Sequence, residues 1–363
     1  MKQKNLAIAL SLFMIIMVLS GCTITGRAVG VPDERIKIGG LFGQTGFAAF
    51  AGEASRNGFV MAIEDFEKAT GEEVTFVIEN YESDFAKTAT TMNKLLDVDD
   101  IEVIIGPEWE FSTVAVPIAE EKGALVISPW FTLENAINSP NYFTATPSHR
   151  HRIRAMVEEM VSEQVKTVAL ISTNNPWSDN NANIFTEEAA KKGIQVVTDF
   201  KVEMDDKDYR TQITKIKQVS PDAVYAVHAT DQASGLFAKQ MKEMNVDVQQ
   251  YVPLARAASN VFKENFADAV KGIKSSAPDA YKNADAFAVK YKARYGSNPT
   301  APSAATAYDM TLLVLNTMNQ GKTSPTEISQ ELINLNGYEG YSNFIKFNAG
   351  RQIVSEEASV FTI

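Results

Sequence analysis

Over residues 103–132, VIIGPEWEFSTVAVPIAEEKGALVISPWFT, aromatic and polar side chains gather at two corners, each directly after a short apolar run. Val103 to Ile105 stop at Gly106 and lead into Trp109, Glu110, Phe111 and Ser112; Leu125 to Ile127 stop at Ser128 and Pro129 and lead into Trp130, Phe131 and Thr132. Phe50, in the small-residue run behind a glycine-bearing loop, is a further candidate contact, as are Trp177, Thr230, Asp231 and Arg256 later in the chain. Rings on corners, as opposed to helix stripes, suit noncovalent capture of a small molecule. Trp130 and Trp177, at strand ends in different halves, would face a flat, apolar or cationic part of it. Blander roles compete: core packing for Phe111 and Phe131, a solvated loop acid for Glu110, a surface or interlobe ion pair for Arg256, and a helix N-terminal acid for Asp231.

Catalysis finds less support. His149-Arg150-His151 lacks metal-ligand spacing and reads as a solvated basic patch at a helix start. No G-x-S-x-G or H-E-x-x-H is present, and Ser, His and Asp never collect at a nucleophile elbow. Gly40, Gly43 and Gly46 contain no G-x-G, so no dinucleotide and no other cofactor is expected. Their use is to let the backbone approach a small ligand.

The elements that must carry these corners alternate. A strand over Arg35–Leu41 precedes a helix striped by Phe59, Ala62, Ile63 and Phe66; a strand over Val74–Asn80 precedes a helix over Phe85–Leu96, with Asp84 as its N-cap. Pro117 is expected near the start of the next helix, where its missing N–H costs nothing. After a short strand at Asn141–Ala145, a second alternation runs through strands at Val168–Ser172, Gln195–Phe200, Ala223–His228, Tyr251–Leu254 and Gly272–Ser276. Helices are expected over Asn181–Lys192, Tyr209–Val219, Gln232–Met244 and Ser259–Phe266. Two helices striped by Phe287, Tyr291, Tyr295 and by Tyr308, Thr311, Leu312, Leu315 return to the first half, and a hairpin over Phe344–Phe361 is expected to close the second. Short apolar runs joined by helices imply buried parallel strands, hence an α/β chain of two Rossmann-like lobes with three crossings between them. The expected division is 35–147 plus 278–341 for one lobe and 148–277 plus 342–363 for the other. In such sheets ligands sit beyond the carboxyl ends of the strands.

Residues 1–21 read as an export signal: Lys2 and Lys4, an apolar run from Leu6 to Leu19, then Ser20-Gly21 before Cys22, the one cysteine of 363 residues. The end resembles the lipobox of secreted lipoproteins, which implies cleavage before Cys22, lipidation of its thiol, and anchoring at the membrane surface through a tether at 22–34. Losing Lys2 and Lys4 takes the formal charge from −11 to −13, an acidic balance that argues against nucleic acid as a partner. Without a second thiol no disulfide can form within the chain, so packed cores must supply stability.

Residues Ile36 to Ile363 resemble type I solute-binding proteins of ABC importers, nearest the branched-chain amino acid binders. The resemblance rests on IKIGGLFGQTGFAAFAG, VIIGPEWEFST with VISPWFT, DYRTQITKIKQVSPDAVYAV and FNAGRQI. It implies a monomer whose lobes close on a small solute and deliver it to a membrane permease. It also implies an α-carboxylate held by hydroxyls and N–H groups at the first-lobe corners, where Thr132 matches. The expected serine falls on Glu110, with Ser112 two further on. The family's stacking tyrosine falls on Trp177, a second one on Ala229 or Thr230, and the acid that receives the ammonium on Leu254, with Arg256 two beyond. The amino acid signature is therefore half present. Either Glu110 and Arg256 exchange the polarity of the site, or the ligand is not a simple α-amino acid. A surface receptor that signals on closure is the alternative function, and an enzyme a distant third.

Overall fold

The computed structural model describes residues 36–130, 139–146, 149–253, 265–278, 284–342, 344–353 and 358–363. Residues 1–35, with the export signal and Cys22, lie outside the described residues, as do Phe131, Thr132, Leu254, Arg256 and most of the helix expected at Ser259–Phe266.

The first sheet has five strands in the order β2-β1-β3-β4-β5. These are β1 (Ile36–Phe42), β2 (Val74–Asn80), β3 (Val103–Ile105), β4 (Leu125–Ser128) and β5 (Tyr142–Thr144), every pair parallel. The central β3 and β4 are buried along their whole length, as their unbroken apolar runs require, whereas the edge strand β2 is mostly half-exposed. Helices α1 (Ala49–Thr70), α2 (Phe85–Asp97) and α3 (Ser112–Lys122) connect these strands. Asp84 caps α2 as expected, its carboxylate accepting from the Lys87 N–H at 2.8 Å.

The second sheet runs β13-β10-β9-β8-β6-β7. Strands β6 (Thr167–Thr173), β7 (Gln195–Val202), β8 (Ala223–Val227), β9 (Gln249–Pro253) and β10 (Lys274–Pro278) are parallel, and β13 (Ala358–Thr362) lies antiparallel on β10. Helices α4 (His149–Ser162), α5 (Pro176–Lys191), α6 (Arg210–Val219), α7 (Asp231–Glu243) and the single turn α8 (Ala267–Val270) belong to this lobe. The chain passes between the sheets three times: from β5 to α4, from β10 to α9 (Ala284–Tyr295), and from Ile353 to β13. Helices α9 and α10 (Ser303–Met318) return to the first lobe, where Phe59 of α1 shares a core with Ala307 and Met310, and Phe287 and Tyr291 pack with Ala51 and Ala62.

Four details depart from the sequence reading. Pro117 lies midway along α3, not at its start; it and Thr113, whose carbonyl it leaves without a helical partner, are both on the exposed side, so water can take the lost bond. Helix α5 starts at Pro176, five residues before Asn181. Asn175 caps it through the Ser178 N–H at 2.9 Å, and Pro176 occupies the first turn, where no N–H is needed. Helix α11 (Pro325–Asn334) was legible only in its capping box, where Ser324 and Glu327 satisfy each other's backbone N–H groups. The tail is divided: Ile345, Phe347 and Ile353 pack into the first-lobe core beside Phe143, and β12 (Phe344–Ile345) pairs with β11 (Tyr338–Glu339), so only Ala358–Thr362 extends the second sheet. Buried Asp309 fixes the preceding turn by accepting from the Tyr341 and Ser342 N–H groups at 3.0 and 2.6 Å.

Helices α1 and α10 approach so closely that a Cβ on Gly58 would lie 1.9 Å from the Ala304 carbonyl oxygen. Gly58→Ala must therefore push the helices apart, at about 1–3 kcal/mol. A clear drop in Tm is the expected result, and an unchanged Tm would show that the pair has room to spare.

Candidate functional site

Because every strand of the two large sheets but β13 runs parallel to its neighbours, their carboxyl ends meet at one edge of each sheet, and the described candidate residues gather there. In the first lobe the organising group is Glu108, which is fully buried. Its Oε2 accepts from the Tyr81 hydroxyl at 2.8 Å and, more weakly, from the Gly43 N–H at 3.4 Å. Gly43, Tyr81 and Glu108 follow β1, β2 and β3, three neighbouring strands, so this one carboxyl ties together the loops that leave them. Oε1 has no hydrogen-bond partner among the described residues. Burial pushes the Glu108 carboxyl above the usual range, against the opposing pull of the Tyr81 hydroxyl.

A single 3₁₀ turn, Trp109–Phe111, follows. At three residues per turn, Glu108 and Phe111 share the inner side and are buried, which leaves Trp109 and Glu110 half-buried at the rim. Phe111 is core, its ring 4.5 Å from Tyr81 and 4.7 Å from Phe85. Trp109 holds a left-handed φ of +48°, which costs a bulky residue about 1–3 kcal/mol. Its ring lies 5.4 Å from Trp130 in a T-shaped contact, 5.6 Å from Phe50 and 6.1 Å from Phe47. Each such contact contributes about 0.5–1.5 kcal/mol, so together they can offset the backbone cost.

The hydroxyls at these corners are committed inside the lobe. Ser112 and Ser128 both donate to the Pro107 carbonyl oxygen, at 3.1 and 2.8 Å. Glu110 has no side-chain partner among the described residues, and burial raises its carboxyl too.

In the second lobe Trp177 lies on the first turn of α5, half-buried against the core. Its indole N–H is buried and has no hydrogen-bond partner among the described residues. The ring meets His149 edge-on at 6.2 Å. His149 and Arg152 are themselves buried, which corrects the reading of a solvated basic patch: α4 packs on α5 and covers them. Burial, and then the adjacent Arg152 charge, hold the imidazole well below its usual pKa. His149 Nδ1 lies 2.8 Å from the Arg152 guanidinium and 3.2 Å from Asn181 Oδ1. Thr230 and Asp231 occupy the start of α7, where the Thr230 hydroxyl caps the helix by accepting from the Ala233 N–H at 3.1 Å. The Ala229 N–H donates to the Thr173 hydroxyl at 3.1 Å and ties the two second-lobe corners together.

The structure thus brings Phe50, Trp109 and Trp130 into one ring cluster, with Glu110 the next residue along the chain from Trp109, and places Trp177, Thr230 and Asp231 at the matching edge of the other sheet. Glu108 and Tyr81 escaped the sequence reading. The available signal was a carboxylate three residues past a buried strand, but Glu108 and Glu110 look alike until the turn separates them. An open groove of about 520 Å³, lined by Lys242, Asp247, Gln249, Asp268 and Lys271 among others, lies at the amino edge of the second sheet, away from every corner described above. Among the described residues no His, Cys, Asp or Glu cluster suits a metal ion, and no helix is long and apolar enough to cross a membrane.

Two doubly wound lobes joined by three strands of chain, with their loops gathered at the carboxyl edges, define a type I binding-protein fold. The chain belongs to the periplasmic binding protein family, whose profile matches residues 35–363. The leucine-, isoleucine-, valine-, threonine- and alanine-binding protein of Pseudomonas aeruginosa is 24% identical over 315 residues, covering 82% of each chain. Two solved structures share the fold. One is the branched-chain amino acid transporter substrate-binding protein LivJ of Streptococcus pneumoniae in complex with isoleucine, with TM-score 0.76, 23% identity, and 91% of this chain and 96% of that one covered. The other is an ABC transporter solute-binding protein of R. palustris in complex with benzoate, with TM-score 0.72, 20% identity, and coverage of 90% and 92%.

Glu108 also makes a testable contribution to stability. Its carboxyl is raised in the folded state, so the stability it contributes is complete below the unfolded glutamate pKa and is lost as pH rises through the folded one. Glu108→Gln keeps an acceptor for Tyr81 and removes the charge. Its Tm should match wild type at acidic pH and exceed it near neutrality; parallel Tm curves from pH 4 to 8 would contradict this assignment.

Proposed function

We propose that this protein is an exported solute-binding protein that captures a small amphipathic molecule between its lobes and delivers it to an ABC permease. The observation that carries the reading is the distribution of rings: Phe50, Trp109 and Trp130 at the carboxyl edge of one sheet, and Trp177, with an unpartnered indole N–H, at that of the other. A ligand touching both edges stabilises the closed arrangement alone, because only there are both sets of contacts made. Closure is then the signal a permease would recognise. Family membership supports the reading, as do the relatives whose names state that they bind branched-chain amino acids or benzoate. The signal at residues 1–21 supports export, and Cys22 supports a lipid anchor that keeps the protein on the outer face of the cytoplasmic membrane, at the cell surface or in the periplasm, near its permease. In this reading the protein works as a monomer, and Thr132 and Arg256 remain candidate contacts.

A thermal-shift screen of amino acids, amides, amines and aromatic acids tests this directly, since a ligand of the folded form raises Tm. At least one class should stabilise the protein, and a screen without any shift would contradict the reading. Trp177→Ala should weaken the compound found by about tenfold or more in calorimetry, and an unchanged affinity would remove Trp177 from the site. Leucine, isoleucine and valine should shift Tm little, because Glu110 stands where the resemblance expects a serine for their carboxylate; a large shift with any of them would show that Glu110 does not oppose it.

A further inference from the structure

The first-lobe rim has the composition of a cation site. Trp109 and Glu110 are consecutive half-buried residues of one 3₁₀ turn whose third residue, Phe111, is buried. Around Trp109, the rings of Trp130 and Phe50 stand at 70° and 52° to its plane, so the cluster does not stack flat and presents ring faces in more than one direction. Phe50 and Phe47 leave about half or more of their surface exposed. No cation partners Glu110 among the described residues: its carboxyl is raised by loss of water, and its own backbone alone offsets this.

We infer that this rim binds the positively charged end of the solute, an organic ammonium, primary or quaternary, carried on an apolar or aromatic body. The inference rests on the solute-binding reading and narrows its ligand class. A carboxylate placed here would meet Glu110 in partly desolvated surroundings, where like charges repel strongly. It would also find the corner hydroxyls occupied, since Ser112 and Ser128 both give their protons to the Pro107 carbonyl. An ammonium meets the negative ring faces and supplies the counter-charge Glu110 lacks.

Four probes of nearly one shape separate charge from shape: benzylamine, benzyltrimethylammonium, benzyl alcohol and benzoate, titrated calorimetrically into the wild-type protein. Both cations should bind about tenfold or more tighter than benzyl alcohol, and benzoate should bind least. Glu110→Gln should weaken the cations by about tenfold while changing benzyl alcohol by about twofold at most. Cations that do not bind, benzoate that equals benzylamine, or cation affinities indifferent to Glu110→Gln would each overturn the inference. Should that variant not fold, the wild-type ranking of benzylamine against benzoate decides alone. A hit among carboxylates or amino acids in the wider screen, with the cations silent, would sink the cation site and leave solute binding standing.

Discussion

A parallel sheet sends all its strand ends to one edge, and the rest of this molecule depends on that constraint. Strands β3 and β4 are apolar up to Ser128 at the end of β4, so polar chemistry has little place within them. It has to appear where the chain leaves the sheet, between a strand end and the next helix. Half-buried rings and capped helix starts are therefore found on two rims, one for each lobe.

Each rim is held in its own way. In the first lobe a buried carboxyl, Glu108, joins the ends of three strands, and the next residue, Trp109, takes a strained backbone angle kept by ring contacts. In the second lobe the bracing is by helix caps and a neutral imidazole: Asn175 and Thr230 cap α5 and α7, and His149 sits between Arg152 and the Trp177 ring. Both arrangements spend polar groups on geometry inside the lobe. The Glu110 carboxylate and the Trp177 indole N–H, one on each rim, are without a partner among the described residues and are open to a ligand.

Much of this was readable in the sequence, and the reasons differ by element. Buried strands announce themselves because apolar runs stopped by Gly or Pro have few other uses, and β2 and β3 fall where the pattern put them. The ring cluster was legible as residue types on corners, but not as contacts, since Phe50 and Trp109 meet only through tertiary packing. Three errors share a cause: local rules were overridden by position. Pro117 is tolerated mid-helix because its side of α3 faces water, Phe347 and Ile353 joined the core nearest them, and His149 and Arg152 were buried by α5 despite their polarity. Glu108 was invisible for a simpler reason, because one dihedral turn decides which of two nearby glutamates is inside.

The central claim is that a guest bridges two rims and draws the lobes together. Small-angle X-ray scattering of the full protein, with and without a saturating compound that raises its Tm, measures this without presuming the chemistry of the guest. The account predicts a smaller radius of gyration in the bound protein, as the two carboxyl edges close on the ligand. Stoichiometric binding with an unchanged radius of gyration would contradict it.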